Sequence, residues 1–272
     1  MRYCKTILRA LLLTFLISII IPNKPGFTAE DYWQEKKSDH FAVYYKAMKD
    51  AALVDELLKS CEDYYQNITE NLGFRRFNFW SWENRCKIYV FPSPEEYHQN
   101  SDQPTWSRAH ANIRERTIKT FTLQKDFTQT ILPHEMGHLI FREFIGYKTR
   151  LPLWLDEGIA CLQEVKNRDR YILMANAFVK SKLFIPLDKL TEINKDALAM
   201  PSIFYAEAAS LVRFLFEKYG QEKFVDYCRK LRDNKNWKKS LLQVYELKSI
   251  TQLNDQWIEF LLNLDTRLYK PR

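Results

Sequence analysis

Segments that alternate polar with apolar residues all lie in the first half of this chain, and after Pro152 nearly every segment keeps helical spacing. Residues 40–45 (HFAVYY) and 87–91 (KIYVF) are short aromatic and β-branched runs that predict strands. Residues 109–123 alternate around Ile118, Thr120 and Thr122, which predicts at least one more. Between the first two runs, Val54, Leu57, Leu58, Cys61, Tyr65, Ile68 and Leu72 keep one face of a long amphipathic helix that stops at Gly73. In Ser93-Pro94-Glu95-Glu96, Ser93 can cap a helix, Pro94 suits its first turn and Glu96 completes a capping box. A helix running through Phe144 to Gly146 begins only a few residues before His134, because Pro133 deep inside it would lose a hydrogen bond and clash. Further helices are expected at 154–165, 170–182, 202–219, 221–231, 239–247 and 253–264. Strands first and helices afterwards argue for an α+β fold over a doubly wound parallel sheet.

With 272 residues, 46% hydrophobic, the chain can bury a substantial core, and no low-complexity tract or repeat divides it. The expected organisation is a leader over 1–29 and one domain over 30–272, with a sheet part at about 38–146 and a helical part at about 147–265. Arg2, Lys5 and Arg9 precede an apolar stretch over 10–21, followed by Pro22. Twelve apolar residues span about 18 Å as a helix, short of a hydrocarbon core of roughly 30 Å. A cleaved export signal is favoured, with the mature chain periplasmic or secreted. Ala29 suits the residue before the cut, but Phe27 is too large for the small-x-small pattern, so an anchor through residues 7–21 stays open. Cys4 precedes the apolar stretch and is not placed as a lipoprotein's acylated cysteine.

The net charge of +7 owes four basic residues to the leader, Arg2, Lys5, Arg9 and Lys24, and the remainder balances 37 basic against 34 acidic residues. No dense basic run appears, so a nucleic-acid partner is not expected. Cys61, Cys86, Cys161 and Cys228 allow two disulfides in three connectivities, or four buried thiols. None has Cys-x-x-Cys spacing.

Chemistry concentrates at His134-Glu135-Met136-Gly137-His138. Residues four apart on a helix lie one turn up and about 40° round, so both imidazoles leave one face and can share a Zn²⁺. Glu135 lies beside that face, placed to take a proton from a water rather than to ligate. Two ordinary surface histidines, or a satisfied core pair, would give the same spelling. A zinc hydrolase needs a third protein ligand, and eighteen residues after His138 the chain reads Leu153-Trp154-Leu155-Asp156-Glu157-Gly158-Ile159-Ala160. Glu157 starts the next helix, Gly158 removes a side chain where helices must approach, and Gly146 and Pro152 suit the turn back.

HEMGH, eighteen residues and then Glu in a Trp-Leu-x-Glu-Gly-x-Ala context resemble the gluzincins, and specifically the peptidase MA-like family. The resemblance runs from about residue 40 to 260 and includes the Tyr205-Ala206-Glu207-Ala208 helix. It implies a small thermolysin-like zincin holding one Zn²⁺ per chain through His134, His138 and Glu157. It implies a peptidase acting on peptides or proteins, with Glu135 as general base and the Tyr205 hydroxyl stabilising the oxyanion. Tyr205 is otherwise one more aromatic beside Phe204, Phe214 and Phe216. One turn beyond the glutamate ligand, where such enzymes often carry a carboxylate supporting a histidine, this chain has Cys161. Asp156 and Glu164 are the candidates for that support, and Cys161 is either a small buried residue or a group approaching the metal. A zinc-binding scaffold without turnover is the alternative, against which the presence of Glu135 speaks. Membrane contact is expected only through an uncleaved leader.

Overall fold

The computed structural model describes residues 32–46, 52–74, 80–121, 123, 126–194 and 198–269. The expected leader and its cleavage site lie outside them. Among the described residues, no helix is long and apolar enough to cross a membrane.

An N-terminal five-stranded mixed sheet precedes a mostly helical C-terminal part, the α+β arrangement that the segregated patterns imply. The sheet comprises β1 (Gln34–Lys37), β2 (Phe41–Tyr45), β3 (Cys86–Val90), β4 (Ala109–Asn112) and β5 (Thr117–Thr120), in the order β1-β2-β3-β5-β4. β2, β3 and β5 run parallel at the centre, with Val43 opposite Ile88 and Ile88 opposite Ile118. These three side chains are fully buried, which gives the central strands their apolar signal. β1 and β4 pair antiparallel on the two edges. β1 reads Gln-Glu-Lys-Lys and is largely exposed, so it carries no alternation by which the sequence announces a strand. The segment expected to hold at least one strand holds the β4–β5 hairpin, whose turn is braced by Asn112 Oδ1 accepting from the N–H groups of Arg114 and Glu115 at 3.1 and 3.2 Å.

α1 (Ala52–Asn71) buries Val54, Leu57, Leu58, Cys61, Tyr65 and Ile68, packs on β2 and on the helix that carries HEMGH, and stops as expected, with Gly73 at φ +76°. In α2 (Pro94–Gln99), Ser93 Oγ accepts from the Glu96 N–H at 3.3 Å. The reciprocal half of the expected capping box is replaced, because the Glu96 carboxylate accepts from Lys46 Nζ at 2.8 Å.

The α-helix carrying HEMGH, α3 (Leu132–Ile145), begins as close to His134 as Pro133 requires, with that proline in its first turn. A single π turn at Phe127–Ile131 carries the helical path further back than the sequence suggests. Next come α4 (Leu153–Gln163), α5 (Arg168–Lys180), the short α6 (Leu187–Leu190), α7 (Pro201–Asn234), α8 (Trp237–Val244) and α9 (Ile250–Leu262). α7 breaks at Gly220, φ 83° and ψ 162°, where the sequence expects one helix to end and another to start.

α4 lies between α3 and α7, and two glycines set how close it comes. A Cβ on Gly137 would stand 3.1 Å from the Ala160 Cα across the α3–α4 contact. One on Gly158 would stand 2.4 Å from the Ala208 carbonyl oxygen of α7, closer than atoms pack. Glycine therefore lets α4 lie directly on both neighbours. Cys61, Cys86, Cys161 and Cys228 are buried free thiols, the second of the two states open to them from sequence.

Candidate metal centre

His134 and His138 leave α3 one turn apart and meet Glu157 from the first turns of α4. His134 Nε2 and His138 Nε2 are 3.2 Å apart, and Glu157 Oε2 is 3.5 Å from the first and 3.7 Å from the second. Metal–ligand bonds of about 2.0–2.2 Å at tetrahedral angles would separate neighbouring donors by about 3.3–3.6 Å. Two imidazole nitrogens and a nearly buried carboxylate held at that spacing fit a Zn²⁺ ion between them, and three protein donors leave a fourth position for a reactant. The structure thus brings together all three residues that the sequence nominates as ligands.

The outer nitrogens of both rings meet carboxylates. His134 Nδ1 lies 2.8 Å from Glu164 Oε1, and Glu164 also accepts from Asn167 Nδ2 at 2.7 Å and from the Tyr171 hydroxyl at 3.1 and 3.2 Å. His138 Nδ1 lies 3.3 Å from Asp156 Oδ1, off the ideal hydrogen-bond direction. Arg142, one turn beyond His138, clamps Asp156 through Nε at 3.1 Å and Nη2 at 2.7 Å and donates to the Thr149 carbonyl at 3.0 Å. Both candidates for histidine support are therefore used, one on each ring. A carboxylate on Nδ1 holds the proton there and leaves the Nε2 lone pair facing the other donors.

Electrostatics agree with that reading. Burial alone would lower both histidines, but Cys161, Glu157 and Glu164 raise His134 well above its ordinary value, and Asp156 and Glu157 raise His138 to about 9. Burial alone would raise Asp156, and His138 with Arg142 instead holds it at about 2. Glu157 is likewise depressed by the two imidazoles against the effect of burial. Surroundings that favour a proton so strongly also favour a dication in its place.

Cys161 sits with His134 and Glu164, their donor atoms within 4.8 Å of one another, in a second grouping that shares His134 with the triangle. Burial pushes its thiol up to about 12 against the pull of His134, and His134 Nδ1 lies 2.8 Å from Glu164 Oε1. Its full burial fits a small packed residue, and its grouping with His134 and Glu164 fits a group approaching a metal, so its place is compatible with both roles.

Glu135 differs from every other carboxylate here. It is partly exposed and makes no hydrogen bond or ion pair with a described residue, so its oxygens are free to accept. Its charge reaches Tyr97 of α2 and His110 of the edge strand β4, the latter lowered chiefly by burial. Tyr205, the fifth residue of α7, is partly buried and close enough to Glu157, Cys161 and His134 to feel their charges. Burial first and those acids second push its hydroxyl up to about 12, so it stays a phenol able to donate. Arg142, Asn167 and Tyr171 were not singled out by sequence. Only the position of Arg142, four residues after His138 on the same helix face, offered a signal.

Sequence comparison with curated proteins gave no match. The family model of the peptidase MA superfamily matches residues 85–263, from β3 through α9, and so takes in the donor triangle, Glu135 and Tyr205. That match supports a peptidase-like hydrolase, and metal dependence is usual in such proteins. The chain, matched over well over half its length, belongs to the peptidase MA superfamily.

Proposed function

We propose that the protein is a zinc-dependent peptidase of the gluzincin type, hydrolysing peptide bonds outside the cytoplasm. The observation that carries this reading is the triangle of His134 Nε2, His138 Nε2 and Glu157 Oε2, with edges of 3.2–3.7 Å, beside an uncommitted Glu135. A zinc ion held by His134, His138 and Glu157 would supply Lewis acidity toward the scissile carbonyl and the attacking water.

The chain's own residues do the rest. Glu135 takes the proton of the attacking water onto a carboxylate oxygen and returns it to the leaving amine nitrogen. Glu164 holds the Nδ1 proton of His134, and the Asp156 carboxylate, 3.3 Å from His138 Nδ1, favours a proton on that side of the second ring, so the Nε2 atoms stay toward the centre. The Tyr205 hydroxyl donates to the carbonyl oxygen as it gains negative charge. β4 forms one edge of the sheet, and its outward backbone groups offer an extended peptide a ladder to pair with.

Metal analysis of the dialysed protein tests the site. We expect about one tightly held zinc per chain and loss of most of it in Glu157→Ala, which keeps only two protein ligands. Full retention by Glu157→Ala would move the third ligand elsewhere.

A further inference from the structure

Two cavities, of about 490 and 540 Å³, share Ile113 and Arg142 in their walls and together form a groove beside the metal centre. The first follows the edge strand from His110, whose imidazole feels the charge of Glu135, through Asn112 to Arg114. The second is walled by Asp156, behind His138, by Arg150, and by an apolar side of Leu151, Leu153, Ile193 and Trp237. A chain paired with β4 would therefore run from the reacting centre into this groove.

Among the described residues that line the groove, Asp156 is the only acid, and it is held by Arg142, Nη2 to Oδ2 being 2.7 Å. Nearby Arg116 is likewise engaged by Glu143 at 3.0 Å. Arg114 and Arg150 are exposed on the walls and have no acidic partner among the described residues. Two unneutralised guanidiniums beside an apolar wall suit a carboxylate on a chain that also carries an apolar side chain. Arg114 follows His110 by four residues and lies in the turn just beyond the end of β4.

We propose that this groove reads substrate, with Arg114 and Arg150 selecting peptides that carry a carboxylate on one side of the scissile bond, within about four residues of it. The proposal rests on the peptidase reading for its direction, yet its recognition step is measurable without turnover. The carboxylate belongs either to an Asp or Glu side chain or to the peptide's own C-terminus.

The test uses internally quenched peptides matched except for Asp, Asn or Lys at each of four positions on either side of the bond, plus a pair ending in a free carboxylate or an amide. They are cleaved by the zinc-loaded wild type and by Arg114→Glu/Arg150→Glu at low and high salt. We expect a carboxylate on one side to raise kcat/KM by about three- to tenfold, the preference shrinking with salt and passing to Lys peptides in the double variant. Gain from Asp at internal positions identifies a side chain as the source, and gain confined to the free C-terminus identifies the chain end. Absence of any carboxylate preference, or its survival in the double variant, overturns the proposal. Fluorescence anisotropy of the same peptides on zinc-loaded Glu135→Gln separates the two readings. Carboxylate-selective binding that the arginine reversals abolish, with no cleavage by wild type, would sink the peptidase and keep the recognition groove; unselective cleavage would do the reverse.

Discussion

Four carboxylates crowd the two histidines of this site, and each is sorted by what it touches. Glu157 faces both Nε2 atoms, Glu164 and Asp156 face one Nδ1 each, and Glu135 faces no described partner. Only the last has an oxygen to spare for a proton in transit, and only the first is placed to share a metal with both rings. Tyr205 completes the set as a phenol kept neutral by burial. Replacing it by Phe keeps the ring and its packing and removes the donor, so Tyr205→Phe is expected to retain zinc and fold while turnover falls roughly a hundredfold. Steady-state kinetics beside metal analysis decide it, and unchanged turnover would make Tyr205 a packing residue alone.

At the level of elements, the site depends on α4 lying against α3 on one side and α7 on the other. Gly158→Ala would drive a methyl group into the Ala208 carbonyl of α7, and backbone cannot step aside as a side chain can. We expect a loss of about 1–3 kcal/mol in denaturant unfolding, with weaker zinc retention in chelator competition because Glu157 moves with α4. A variant as stable and as tight as wild type would show that the α4–α7 spacing is not what positions Glu157. The ligands were legible in sequence because helical spacing alone puts residues 134 and 138 on one face, and because a third donor had to follow. The pairing of Asp156 with His138 and of Glu164 with His134 was not, since both acids share α4 or its end and only the crossing of α3 over it decides which ring each meets. β1 escaped notice for a different reason, because its polar residues form a strand only through backbone pairing with β2.

Among the described residues, the sheet ends at the edge strand β4, the helical part supplies Glu157 and Tyr205, and α3 joins the two with the histidines and Glu135. Export is proposed from the basic and apolar leader, and N-terminal sequencing of the native protein is expected to begin near Glu30. Intact Met1 recovered in a membrane fraction would replace export by anchoring through residues 7–21.

Peptide hydrolysis needs Glu135 as a proton acceptor, whereas zinc binding does not need it at all. Glu135→Gln keeps the size of the side chain and cannot take the proton of the attacking water. The decisive measurement is kcat on a cleaved peptide together with zinc content, for wild type and Glu135→Gln. The account predicts wild-type zinc in both and a fall in kcat of about a hundredfold to ten-thousandfold in the variant. Equal cleavage by the two proteins would show that Glu135 is not the base, and zinc held by both without cleavage of any member of a broad peptide library would make the protein a binding scaffold.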